Sequence, residues 1–223
     1  MRALAEARLP EEQQQSVVYI VDDDADVRES LKMLLESVSL RCETFTSTQE
    51  FLQRAPVDGA SCLVLDVRLP GPSGLDFQAE LAQRHIDIPI VFVTGHGDIR
   101  MSVRAIKGGA IEFLTKPVRE QDLLDAVRTA LDQDRTRREY EHRRGALKAK
   151  FALLSDRERE VMSFVIRGLL NKQIAGEMRL SEVTVKVHRH KLMRKLAAKS
   201  VPDLVRMAQV IASNGHDPAA SSP

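Results

Sequence analysis

The sequence predicts two fold classes in one chain. Residues 17–131 read as a doubly wound α/β unit with a parallel sheet, and residues 151–213 as a small all-α unit, the two joined by a helical linker. Three observations carry this. Short apolar runs alternate with helix-length amphipathic stretches as far as Leu131, the signature of strand–helix–strand units. After Phe151 only helical patterns occur. Charge divides the same way: residues 1–131 hold 14 Lys+Arg against 21 Asp+Glu, residues 132–150 hold 7 against 4, and residues 151–212 hold 12 against 6. An acidic front half suits a cation or a phosphate chemistry, and a basic back half suits a polyanion.

In chain order, Val17–Val21 is the first strand, followed by a helix with Val27, Leu31, Leu34 and Leu35 at helical spacing. Arg41–Phe45 is the second strand, and a short helix follows around Ser47–Arg54. Cys62–Leu65, Ile90–Thr94 and Ile111–Leu114 are the next strands, with helices near Gly74–Arg84, Arg100–Lys107 and from Glu120 onward. The last of these has an apolar stripe at Leu124, Val127 and Leu131, where the stripe stops. Residues 132–150 are polar, basic and mostly good helix formers, which predicts a helical linker able to bend at Gly145. A coiled coil would need apolar residues where Asp134, Arg138 and Glu141 stand.

Beyond the linker, Ser155 and Glu158 form an S-x-x-E capping box, opening a helix that carries Val161, Met162, Val165 and Ile166 and ends at Gly168. A short helix follows at Asn171–Met178. Ser181 then caps a helix reaching about Leu196, and a final helix runs from about Val201 to Ile211.

At 223 residues, 43% hydrophobic and 29% charged, the chain can fill two cores of ordinary size. No apolar run approaches the roughly 18 residues that span a bilayer. The first 16 residues lack the apolar stretch of a secretory signal, and with residues 214–223 they read as disordered extensions. Cys42 and Cys62 sit in strand-like surroundings and suggest no disulfide framework, so a reduced cytoplasm and no membrane partner are expected.

In a parallel sheet, the strand C-terminal ends share one edge, where ligands bind at the switch in strand order. Asp22 and Asp23 follow the first strand, Asp66 the third, Thr94 ends the fourth, and Lys116 follows the fifth. Any one of these alone reads as a cap or a turn residue. Together, three carboxylates and one lysine carry a charge near −2, which suits a hard divalent ion such as Mg²⁺. A carboxylate can also attack phosphorus, giving an aspartyl phosphate. That product raises the local charge to about −3, which a cation must offset.

The segments IVDDDADVRESL, LVLDVRLPGPSGLDF, IPIVFVTGHGDIRMSVRAIKGGA and IEFLTKP resemble the receiver domain of two-component response regulators of the FixJ type, over about residues 17–131. The resemblance implies a flavodoxin-like (βα)5 fold with Asp66 as phosphoacceptor. It implies that Asp22, Asp23, Asp66 and the backbone carbonyl of Arg68 hold Mg²⁺, that Thr94 and Lys116 bind the phosphoryl group, and that Lys116–Pro117 is cis. Phe113 would be the switch aromatic, turning inward as Thr94 moves, although plain core packing would also explain it. A phosphatase with an aspartate nucleophile of the haloacid-dehalogenase type would need a second acid after Asp66, where Val67 and Arg68 stand. No enzymatic activity is expected beyond Mg²⁺-dependent self-phosphorylation and slow self-dephosphorylation.

At about 100° per residue, a helix with Val185 at its core centre places Leu192 and Leu196 within about 20° of it, and His188 partly inward. Val187, His190 and Arg194 fall on the opposite face, flanked by Lys186 and Lys191. Such a face suits a recognition helix in a major groove, or else a solvated charged surface. His188 reads as a packed, hydrogen-bonded histidine.

LSDREREVMSFVIRGLLNKQIAGEMRLSEVTVKVHRHKLMRKL closely resembles the LuxR-type helix-turn-helix of the NarL/FixJ regulators. This implies DNA contacts from Lys186, Val187 and His190, the last standing where relatives more often carry Lys. Lys191 and Arg194 complete the face, and Lys172 and Thr184 are expected on phosphates. The resemblance also implies a sensor histidine kinase, double-stranded promoter DNA and RNA polymerase as partners. A homodimer would form on phosphorylation through the fourth helix and fifth strand of the receiver. Two other readings are a DNA binder with a merely structural receiver, and a phosphorelay intermediate with no DNA role.

Overall fold

The computed structural model describes residues 16–54, 58–95 and 97–212. The proposed extension at 1–16, Ser16 apart, and the proposed tail at 214–223 lie outside the described residues. The chain divides into two compact units, with the boundary between Arg138 and Glu139.

The first unit runs β1 (Val17–Val21), α1 (Ala25–Ser37), β2 (Arg41–Phe45), α2 (Thr48–Leu52), β3 (Ser61–Leu65), α3 (Gly74–Gln83), β4 (Ile90–Thr94), α4 (Ile99–Lys107), β5 (Glu112–Thr115) and the start of α5 (Glu120–Ala152). The strands form one parallel sheet in the order β2-β1-β3-β4-β5. The strands β1, β3 and β4 are buried throughout, as near-continuous Val, Ile and Leu runs require when helices cover both faces. Leu63, Leu65, Phe77 and Phe92 build the core on one face, and Ile20, Leu35, Leu123 and Val127 on the other. Each such side chain contributes about 1.5–3 kcal/mol on burial.

Four expectations are corrected. The strand β3 begins one residue early, at Ser61, and β5 is shifted one residue late, to Glu112–Thr115, because pairing with β4 sets its span (Val91 opposite Glu112, Thr94 opposite Thr115). The helix α5 runs unbroken through Gly145. Its neighbours Arg143, Arg144, Ala146 and Leu147 are good helix formers that outweigh the roughly 1 kcal/mol cost of one glycine. Finally, the segment read as linker does not leave the first unit at residue 132: Asp134 is fully buried against the start of β3.

The second unit contains α6 (Asp156–Ile166), α7 (Asn171–Met178), α8 (Glu182–Leu196) and α9 (Val201–Ala212). Its core holds Val161, Val165, Ile174, Val185, Leu192, Leu196 and Leu204. Gly168 closes α6 at φ +86°, a conformation that favours glycine. None of the described helices is long and apolar enough to cross a membrane.

The capping box has a second role. Glu158 Oε2 accepts from the Ser155 N–H at 2.8 Å and from Lys195 Nζ, near the end of α8, at 2.6 Å. This ion pair, joined by the capping bonds, holds the Glu158 carboxyl below its ordinary value of 4.5. A carboxyl with a lowered folded pKa stabilises above its unfolded value, and that stabilisation is lost as pH falls through the folded one. Replacing Glu158 with Gln is therefore expected to cost about 2 kcal/mol near neutral pH. The gap should narrow at about pH 4 and below. Urea denaturation of the full chain at both pH values checks this; an equal gap at both excludes the ion pair as the cause.

Candidate metal centre and nucleic-acid interface

The switch in strand order falls at β1, which lies between β2 and β3. The C-terminal ends of β1 and β3 therefore meet, which is where Asp22, Asp23 and Asp66 stand. One oxygen from each carboxylate lies within 4.8 Å of the others. Asp22 and Asp66 are buried at 2% and 7% exposure, while Asp23 is exposed, so the cluster has one side open to solvent. Lys116 crosses from the end of β5 to donate to Asp22 Oδ2 at 2.6 Å and Asp66 Oδ2 at 2.9 Å. Thr94, fully buried at the end of β4, and Arg68 line the same pocket.

Local bonding orients each group. Asp66 Oδ1 accepts from the Arg68 N–H at 3.0 Å, and Asp22 Oδ1 from the Asp24 N–H at 3.0 Å. Arg28 donates to the Asp22 carbonyl at 2.7 Å, pinning the β1–α1 turn. Asp24, to which sequence reasoning assigned nothing, is the N-cap of α1 and accepts from the N–H groups of Asp26 and Val27. An Asp directly before an amphipathic helix is the signal that could have found it. The Lys116–Pro117 bond is cis.

Burial pushes the Asp22 carboxyl upward, against the pull of its bonds to Lys116 and Asp24. For Lys116, burial works to lower the pKa, but the bonds to Asp22 and Asp66 outweigh it and the net direction is up. The lysine thus remains a cation, and its charge leaves the cluster near −2. An all-oxygen donor set with that excess charge fits a hard divalent ion of the Mg²⁺ type.

Phe113 lies outside this pocket. It sits opposite Phe92 in the sheet, is half-buried in the core on the α4 side, and has its ring centroid 6.1 Å from that of Phe92. A Cβ built on Gly97 would come within 2.7 Å of the Phe113 ring. Gly97 thus lies directly over the aromatic side chain, a contact no sequence pattern announced.

In the second unit, α8 turns Val185, Leu192 and Leu196 into the core. Its outward face gathers Lys186, Val187, His190, Lys191 and Arg194 along one shallow groove, with Val183 at its end. Val183 is 70% exposed and adds an apolar contact one turn before Val187, at the i, i+4 spacing that could have revealed it. Lys172 is exposed near the start of α7 and is not part of the groove. Thr184 is half-buried, its hydroxyl 2.7 Å from that of the N-cap Ser181. Arg189 donates to Asn171 Oδ1 at 2.8 Å, tying α8 to α7. His188 is half-buried, as a packed histidine would be, and its buried Nδ1 has no hydrogen-bond partner among the described residues.

The described residues thus place a carboxylate pocket on a five-stranded parallel sheet and, in a separate unit, a helix with a basic outward face, the two features of a receiver joined to a nucleic-acid-binding module. Residues 18–128 match the response regulator receiver domain family, and residues 152–208 match the luxR family of bacterial regulatory proteins. Nodulation protein W of Bradyrhizobium diazoefficiens is 53% identical over 196 residues, covering 88% of this chain and 86% of its own. Response regulator protein TodT of Pseudomonas putida is 49% identical, covering 87% and 86%. Among solved structures, response regulator StyR has 48% identity and a TM-score of 0.80 over 87% of this chain and 98% of its own. The chain belongs to the two-component response regulators that join a receiver domain to a LuxR-type DNA-binding domain, and it is a transcription regulator.

Proposed function

We propose that Asp66 accepts a phosphoryl group from a sensor histidine kinase in a Mg²⁺-dependent step, and that this controls dimerisation and promoter binding in the cytoplasm. The observation that carries the reading is the Lys116 ammonium bridging Asp22 and Asp66 in one pocket with Asp23 and Thr94. Asp66 Oδ2 attacks phosphorus, the bond from phosphorus to the donor breaks, and the donor leaves with its electron pair. Asp22, Asp23, Asp66 and the Arg68 carbonyl would hold Mg²⁺, which offsets charge on the transferring group. Lys116 and Thr94 then bind phosphoryl oxygens. The position two residues after Asp66, where a phosphatase of the aspartate type needs an acid, is occupied by exposed Arg68, which supports a stable acyl phosphate and no separate enzymatic turnover.

Engagement of the phosphoryl group by Thr94 draws on the β4 end of the sheet, next to Phe113 and α4. The helix α4 exposes Ile99, Val103 and Ile106 at 83%, 46% and 47%, an i, i+4, i+7 stripe suited to pairing with a second receiver. Two linked recognition helices then bind a two-fold related site more tightly than one, near RNA polymerase. Lys186, Val187, His190, Lys191 and Arg194 would face the major groove, with Lys172 and Thr184 at phosphates.

The test compares oligomeric state and DNA affinity with and without acetyl phosphate and Mg²⁺. The phosphorylated protein is expected to dimerise and bind more tightly. Replacing Arg194 with Ala should weaken binding and reduce the salt slope by about 1. Equal DNA affinity in both states would make the receiver a structural module only.

A further inference from the structure

The linker segment of α5 is fastened to the receiver by a group that the phosphorylation chemistry does not use. Asp134 follows Leu123, Val127 and Leu131 on the core-facing stripe of the helix, and it is fully buried where an apolar residue would ordinarily stand. Its Oδ2 accepts from the Ser61 N–H at 2.8 Å and from Arg138 Nε at 2.7 Å. Its Oδ1 accepts from Arg137 Nε at 3.1 Å and also from Arg137 Nη2. The Ser61 hydroxyl, itself buried, lies 3.5 Å from Oδ2 and accepts from Arg138 Nη2 at 3.4 Å.

Two features of this arrangement matter. Ser61 is the first residue of β3, and Asp66 directly follows the last. The same strand therefore carries the phosphoacceptor at one end and the fastening of α5 at the other. The two arginines stand three and four residues after Asp134 on the same helix, so the carboxylate brings its own counter-charges. The bonds to Ser61 pass between helix and sheet. Releasing the helix would break those bonds while the carboxylate keeps both guanidiniums, avoiding the large cost of an unpaired buried charge. Directional bonds also hold one position along the helix, whereas an apolar side chain tolerates sliding.

We infer that Asp134, Ser61, Arg137 and Arg138 form a polar latch that docks the linker helix on the receiver, and that promoter affinity responds to phosphorylation only while this latch is closed. The second half rests on the phosphorylation reading above; the first does not. The experiment uses full-length protein with Asp134→Ala and Asp134→Asn, the latter close in shape but unable to pair as an ion with Arg137 and Arg138. Hydrogen exchange over residues 132–144 is measured without phosphodonor. DNA affinity is then compared with and without acetyl phosphate, at phosphorylation levels matched by mass.

Expected are exchange in that segment at least about tenfold faster than in the wild-type protein, wild-type mass gain on phosphorylation, and a phosphorylation-dependent affinity ratio reduced to about 1. Unchanged exchange in both variants overturns the latch. Faster exchange with an unchanged affinity ratio overturns its coupling role. If only the wild-type protein's own ratio proves to be 1, the phosphorylation reading fails while the exchange result still decides the docking. Should Asp134→Ala not fold, Asp134→Asn carries the same comparison, since its side chain is close in shape to the native one.

Discussion

An Asp66→Asn protein, incubated with Mg²⁺ and acetyl phosphate, is expected to gain no phosphoryl mass and to keep the DNA affinity of the untreated wild type. The loss should be complete under the proposed assignment, in which the remaining carboxylates, Asp22 and Asp23, hold the metal. Asp22 and Asp23 remain, but Asp22 Oδ2 is engaged by Lys116 and its Oδ1 by the Asp24 N–H. An asparagine can still accept from the Arg68 N–H, so the fold should be retained and the effect assigned to the missing carboxylate. Intact-mass spectrometry decides the matter. A wild-type increment in the variant would move the acceptor elsewhere in the cluster and overturn the assignment of Asp66.

The second large effect is expected at a residue with no side chain. Gly74 opens α3 and donates its N–H to the Val67 carbonyl at 2.9 Å. A Cβ there would stand 2.2 Å from the Asp66 carbonyl oxygen and 3.1 Å from both the Asp66 carbonyl carbon and Val67 Cα. All three atoms are backbone, so no rotamer change relieves the clash. Either α3 or the loop carrying Asp66 must shift. Gly74→Ala is therefore expected to destabilise the receiver by about 2–3 kcal/mol. It should also slow phosphorylation by about 100-fold, since a misplacement of roughly 1 Å at a reacting group costs that much. Urea midpoints and initial phosphorylation rates measure the two effects. A variant with wild-type rate and stability would show that the close approach is relieved without moving Asp66.

These two residues illustrate what could be read from the chain and what could not. Asp66 was legible because a buried strand announces itself by its apolar run, and the residue that ends it must lie on the carboxyl edge of a parallel sheet. Asp22, Asp23, Thr94 and Lys116 were legible for the same reason. Gly74 was not, because a close approach between two backbone segments leaves no pattern in residue type. The faces of α8 followed from angular position alone, and Val185, Leu192 and Leu196 are buried as that geometry requires. His188 and Arg189 depend on what α7 and the rest of the unit place beside them, which periodicity does not encode.

The linker marks the same division. Leu124, Val127 and Leu131 predicted an apolar stripe that stops at Leu131, with residues 132–150 read as a polar helical linker. The Asp134 carboxylate continues the buried stripe instead, because Ser61, 73 residues earlier in the chain, presents an N–H at that point and two arginines neutralise the charge.

Element order, sheet class, the carboxylate edge and the outward face of the basic helix were determined by the sequence itself, since each follows from local periodicity and from where strands must end. The bridge from Lys116 to two carboxylates, the approach of Gly97 to Phe113, the backbone contact at Gly74 and the burial of Asp134 were decided only by tertiary structure. Each joins groups far apart in the chain, and whether a polar side chain is solvated or buried depends on the partner that meets it.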